Sequence, residues 1–138
     1  MISVKVIGIA EVVRALDKAS KDRQARVSKV LSKTGLNVVS TARKSMRDSP
    51  ATGVTYKKSG SVSHTASSKD NAPRIDTGTL SNSVKMVREK NDVLVGTNKK
   101  YGRYLEFGTV NMDARPWLFP ALEQNNPKFL ADLKEALK

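Results

Sequence analysis

Apolar and polar positions alternate at the start of the chain. Between Ile2 and Ile9, β-branched residues exchange places with Ser3 and Lys5, the period of a strand with one face buried. From Ala10 to Met46 the period lengthens. Val12, Leu16 and Ala19, then Val27, Val30, Leu31, Leu36, Val38, Val39, Ala42 and Met46, recur at spacings near three and four. That spacing predicts a long amphipathic helix, or two in line. Two places could break it: the stretch 20–26, poor in apolar residues, and Gly35, because glycine costs helix stability.

From Asp48 to Asp76 the pattern disappears. Ser, Thr, Gly, Lys, Asn and Pro dominate, with Val54, Tyr56 and Val62 almost the only large apolar residues. Such a segment adds little to a core and is expected to be a long mobile loop. Loops of that length inside a small domain are usually functional or disordered, so an arm that orders on assembly is the expected role. Structure then returns. Residues 83–97 alternate on either side of an Asn91-Asp92 turn, which predicts a β-hairpin. Tyr101, Tyr104 and Leu105 have helical spacing and stop at Gly108, the usual residue for a C-terminal cap. A last helix is expected from about Pro120 to Leu137, with Leu122, Phe129, Leu130, Leu133 and Leu137 on one face and a candidate interruption at Asn125-Asn126-Pro127. The order predicts an α+β fold in a single domain, 1–138. A small antiparallel sheet packs against a long N-terminal helix and a C-terminal helix, with 48–76 as a flexible loop.

Composition narrows the chemistry. At 138 residues the chain can bury one modest core, mainly aliphatic because aromatics are only 5%. With no cysteine, disulfide frameworks, thiolate metal sites and cysteine nucleophiles are excluded. The N-terminal apolar stretch is too short and too soon charged for a signal peptide, and no run approaches a membrane span. Lys+Arg 25 against Asp+Glu 13 leaves a formal charge of +12. The excess lies before Tyr101. Beyond it, Arg103, Arg115, Lys128, Lys134 and Lys138 are balanced by Glu106, Asp113, Glu123, Asp132 and Glu135. A basic half implies a polyanionic neighbour, either nucleic acid or an acidic protein surface.

Catalytic and metal-binding patterns are missing. The one histidine, His64, falls in the polar segment, where a solvated side chain is expected. Neither a carboxylate cluster with metal-ligand spacing nor a phosphate-cradling glycine loop is present. Asp76-Thr77-Gly78 repeats the three letters of the aspartic-protease motif, but those enzymes set it among hydrophobic strands of an all-β fold. Here it follows Asn71-Ala72-Pro73-Arg74, precedes Leu80-Ser81-Asn82-Ser83, and shares the chain with long helices. The expected role is a cap, Asp76 or Thr77 accepting backbone N–H bonds while Gly78 permits a tight turn.

Two stretches are specific. The first runs Ala72-Pro73-Arg74-Ile75-Asp76-Thr77-Gly78-Thr79-Leu80-Ser81-Asn82-Ser83. The second is Tyr101-Gly102-Arg103-Tyr104-Leu105-Glu106-Phe107-Gly108-Thr109, followed by Ala114-Arg115-Pro116-Trp117-Leu118-Phe119-Pro120-Ala121-Leu122. In this order, after a basic helix and a polar loop, the chain resembles the small head–tail joining or tail-completion proteins of long-tailed bacteriophages and prophages. Thr79 departs from the family pattern, where a basic residue often stands. The resemblance implies a non-enzymatic virion protein, without cofactor, assembled in the host cytoplasm. It would form a homo-oligomeric ring, six-fold in our expectation, at the neck or tail end. Its neighbours would be tail-terminator, tail-tube or head-connector proteins, with phage DNA close by and no membrane. The alternative from the residues alone is a small basic DNA-binding protein.

The candidate structural and interface residues are Asp76, Thr77, Gly78, Leu80, Tyr101, Tyr104, Glu106, Phe107, Gly108, Arg115, Pro116 and Trp117. Tyr101, Tyr104 and Phe107 offer large apolar area, which serves a corner of the domain or a subunit contact equally well. Arg115 carries a planar fork suited to a carboxylate, and Glu106 is its expected partner.

Overall fold

The computed structural model describes residues 2–5 and 21–138. The rest of the expected first strand, 6–9, and the first part of the expected helix, 10–20, lie outside the described residues. Along the chain run β1 (Ile2–Lys5), α1 (Lys21–Arg47), β2 (Thr55–Lys57), β3 (Ser63–Thr65), α2 (Thr79–Ser83), β4 (Lys85–Glu89), β5 (Asp92–Thr97), α3 (Tyr101–Phe107) and α4 (Phe119–Leu137). Small antiparallel sheets and long helices make this the expected α+β architecture.

The apolar stripe of α1 is what the sheet packs on. Val27, Leu31, Val38, Val39, Ala42 and Met46 are buried at helical spacing, while Lys21, Arg23, Arg26, Lys29, Lys33, Lys44 and Arg47 face outward. At about 1.5 Å per residue the helix is about 40 Å long. It runs through Gly35 without a break. The glycine has a packing reason instead: a Cβ there would lie 2.5 Å from Val93 Cγ1 and 2.8 Å from Met86 Cγ. Helix and sheet touch at that point, and only a residue without a side chain fits.

The three-stranded sheet has the order β1-β5-β4, all antiparallel, with Val4 and Met86 both opposite Val95. Alternation puts Val93, Val95 and Thr97 of the central strand on the buried face. On the other side of α1 lies α4, which buries Ala121 and Phe129. Polar ties fix the pair: Lys33 Nζ to Asp132 Oδ2 at 2.9 Å, and Asn125 Nδ2 donating to Thr41 Oγ1 at 2.9 Å. Pro127 does not interrupt α4; it sits exposed inside the helix, which tolerates the one donor a proline lacks.

The segment 48–76 carries secondary structure that its composition concealed. Strands β2 and β3 pair antiparallel, Tyr56 opposite His64. The pairing continues beyond them, with Gly53 N–H donating to Ala66 O at 2.8 Å and Ala66 N–H to Val54 O at 3.0 Å. Ala66 and Ser67 at its base are buried, whereas Val54, Tyr56 and Val62 are all more than half exposed. The hairpin is therefore held by backbone bonds and polar contacts, with little apolar burial of its own.

Candidate interaction site

The second specific stretch splits into a buried half and an exposed half. Helix α3 turns Gly102, Leu105 and Glu106 inward. Glu106 is 6% exposed, and its carboxylate is fully used by the chain leading into α4. Oε2 accepts the N–H groups of Trp117 at 2.8 Å and Leu118 at 2.9 Å, and Oε1 accepts that of Phe119 at 2.9 Å. A helix start leaves amides without intrahelical partners and carries partial positive charge, so a carboxylate is the fitting acceptor. Trp117 completes the corner. Its ring is wholly buried, and Nε1 donates to Gly102 O at 3.0 Å. Gly102 is required for this approach, since a Cβ would lie 2.7 Å from Thr97 Cγ2. Pro116 precedes the Trp, and Gly108 closes α3 with φ 73 while its N–H donates to Tyr104 O at 2.8 Å.

The expected Glu106–Arg115 pair does not form. Arg115 is tied by its backbone, N–H to Leu105 O at 2.6 Å, but its side chain turns to the opposite side of the corner. There it lines a cavity of about 270 Å³ with Asp76, Thr77, Gly78, Leu80 and Tyr101. Two segments far apart in sequence thus share one wall. The Arg115 Nε is buried and has no hydrogen-bond partner among the described residues.

Asp76 does not cap α2 either. Its carboxylate pairs with Lys58 of the hairpin, and His64 Nδ1 stands 3.6 Å away. The hydrogen bond from Lys58 holds the Asp76 carboxyl below the ordinary aspartate value, and the charge of His64 adds to the effect. His64 is correspondingly not the freely solvated residue expected, with its side chain 16% exposed. The left-handed Gly78, φ 79, precedes α2, and Thr77 Oγ1 accepts the Thr79 N–H at 3.4 Å. Leu80 belongs to the core. Lys58, His64 and Arg74, whose Nη1 donates to Thr65 O at 3.1 Å, are the contacts that sequence reasoning missed. Nothing in a polar segment marks which cation will fold back onto Asp76.

The exposed half of the stretch is aromatic. Tyr101, Tyr104 and Phe107 are 42%, 52% and 71% exposed, and Val110 in the following turn is completely so. None of them is needed for the corner that Glu106 and Trp117 build.

Among the described residues no group of acidic or histidine side chains could hold a metal ion, and no helix is long and apolar enough to cross a membrane. This is a small α+β domain whose distinctive chemistry lies on outward surfaces: an aromatic helix face and a cationic helix. Residues 9–108 match the family described as "Bacteriophage HK97-gp10, putative tail-component", and the chain belongs to that family. It is a tail-component protein of a phage virion. The match ends at Gly108, so Trp117, Leu118 and Phe119, which Glu106 holds, lie beyond it. No curated protein and no solved structure matches the chain with significance.

Proposed function

We propose that the chain is a head–tail joining or tail-completion subunit that closes into a homo-oligomeric ring, six-fold, at the neck or tail end. The observation that carries this reading is the outward face of α3. Phe107, Tyr104 and Val110 present apolar area that a monomer leaves in water. Clustered exposed aromatics mark contact surfaces in soluble proteins. A ring needs two different side surfaces that meet head to tail and close after a fixed rotation. The aromatic face of α3 and the cationic face of α1 supply two such surfaces, and the β2–β3 hairpin extends the reach of one of them.

The experiment is electron microscopy of particles from a phage carrying Tyr104→Ser with Phe107→Ser. Separate, unjoined heads and tails are expected, with the purified variant remaining a folded monomer. Normal virions would sink the reading. A second reading, binding to DNA, has one observation in its favour: Arg43, Lys44 and Arg47 line a shallow groove beside the exposed Leu36. It requires that affinity for duplex DNA fall steeply with added salt. Binding that is absent, or flat with salt, would dismiss it.

A further inference from the structure

The cavity between the two specific stretches has a charged wall. Among the described residues Arg115 has no side-chain hydrogen bond or ion pair, and its buried Nε lacks the acceptor that such a donor normally has. The second cation on the rim, Arg74, gives one bond to the Thr65 carbonyl. Asp76, the only acid in the wall among the described residues, is occupied by Lys58. The rest of the lining holds the His64 imidazole, hydroxyls from Thr77, Thr79, Ser81 and Tyr101, and apolar surface from residues such as Ile75 and Leu105.

We propose that this cavity is a carboxylate-binding site, in which Arg115 receives the Asp or Glu side chain of a partner protein. The planar guanidinium presents parallel N–H donors matched to the two oxygens of a carboxylate. The hydroxyls supply further donors, and the apolar part of the lining suits the methylene stem that carries an acid. A phosphate is disfavoured by the same wall, because its larger charge would stand beside the ionised Asp76. The site itself follows from the geometry alone. That the acid belongs to another virion protein rests on the functional reading above.

The test uses the full-length ¹⁵N-labelled protein. The Arg115 Nε–Hε resonance and the amides of Thr77 and Thr79 are followed during addition of sodium acetate or sodium glutarate, with sodium chloride and sodium phosphate at matched ionic strength as comparisons. Saturable shifts with the two carboxylates are expected, chloride giving none. Arg115→Gln should lose the shifts at Thr77 and Thr79 while keeping a dispersed amide spectrum; if that variant unfolds, Arg115→Lys serves in its place. Absence of saturation, persistence of the shifts in the variant, or tighter response to phosphate than to acetate would each overturn the site. In the phage, Arg115→Gln should reduce head–tail joining. Normal particles despite saturable acetate binding would assign the site to a free small carboxylate and overturn the partner. Failure of the neck reading is separate: it would appear as normal particles from a phage lacking the whole protein.

Discussion

Glu106 sits where three amides converge, and that makes it the residue with most at stake in the described domain. Truncating it would strand Trp117, Leu118 and Phe119 N–H groups in a buried corner. Hydrogen bonds to a charged group contribute about 1.5–3 kcal/mol each at best, and a buried unsatisfied donor costs about 1–3 kcal/mol. We expect Glu106→Ala to lower the unfolding free energy by about 3 kcal/mol in urea titration. Arg115→Ala should cost less than about 1 kcal/mol, since no described bond of its side chain is lost. The reverse ranking would mean that the corner is held differently. Sequence proximity pointed to a Glu106–Arg115 pair because both types are present and near each other. It could not show that the start of the next helix competes for the same carboxylate, or that the backbone of Arg115 aims its side chain away.

Asp76 gives a pH effect of definite sign. Lys58 depresses its folded-state pKa relative to the unfolded chain. The resulting stabilisation is present above the ordinary aspartate value and is lost as pH falls through the depressed one. The pair is well exposed, so the effect on global stability should be small. An NMR titration of the Asp76 carboxyl should find its midpoint below that of an unpaired aspartate, and Lys58→Met should move it upward. An unmoved midpoint would dissolve the ion pair.

At the scale of elements, the helices and the β4–β5 hairpin were legible because burial imposes a period. The stripe from Val27 to Met46 and the alternation of β5 both face the core. The β2–β3 hairpin was not legible. Its strands read Thr-Tyr-Lys, fully exposed, and Ser-His-Thr, only partly buried, so no alternation of apolar residues is imposed on them. Gly35 was legible as an oddity but with the wrong meaning. Replacing it by alanine gains about 1 kcal/mol of helix propensity. It also forces a methyl against Val93 and Met86, and overpacking costs about 1–3 kcal/mol. We expect net destabilisation in Gly35→Ala, seen as a lower melting temperature. A rise would show that α1 can lift from the sheet at no cost. For the hairpin, whose tip at Gly60 is open on all sides, limited trypsin digestion should cut first at Lys57 or Lys58 and leave the two halves associated. First cleavage within α4 instead would place the weakest element elsewhere.

At the scale of the whole molecule, the stretch from Tyr101 to Trp117 carries two sets of positions at once. One set of positions, Gly102, Glu106 and Trp117, locks α3 to the start of α4. The interleaved set, Tyr101, Tyr104 and Phe107, looks outward from the same short helix. Helical geometry lets one stretch of sequence carry both, because neighbours three and four apart share a face and the positions between them do not. The domain can therefore change its exposed aromatic face without losing its fold.

The turn between those two helices is pinned on both sides. Thr109 N–H donates to Met112 O at 2.8 Å, and Arg115 N–H to Leu105 O at 2.6 Å, with Val110 wholly in solvent between them. A loop closed at its base behaves as a docking port for foreign sequence: extra residues lengthen the bulge and leave the closure untouched. Doubling a loop adds only about 0.6 kcal/mol of closure entropy. A short Gly/Ser-rich peptide spliced between Val110 and Asn111 should therefore leave the melting temperature nearly unchanged. The same graft would stand beside Phe107 like a wedge in a seam. An insert that is thermally silent yet yields only unjoined particles would separate, in one construction, the protein that folds from the protein that assembles.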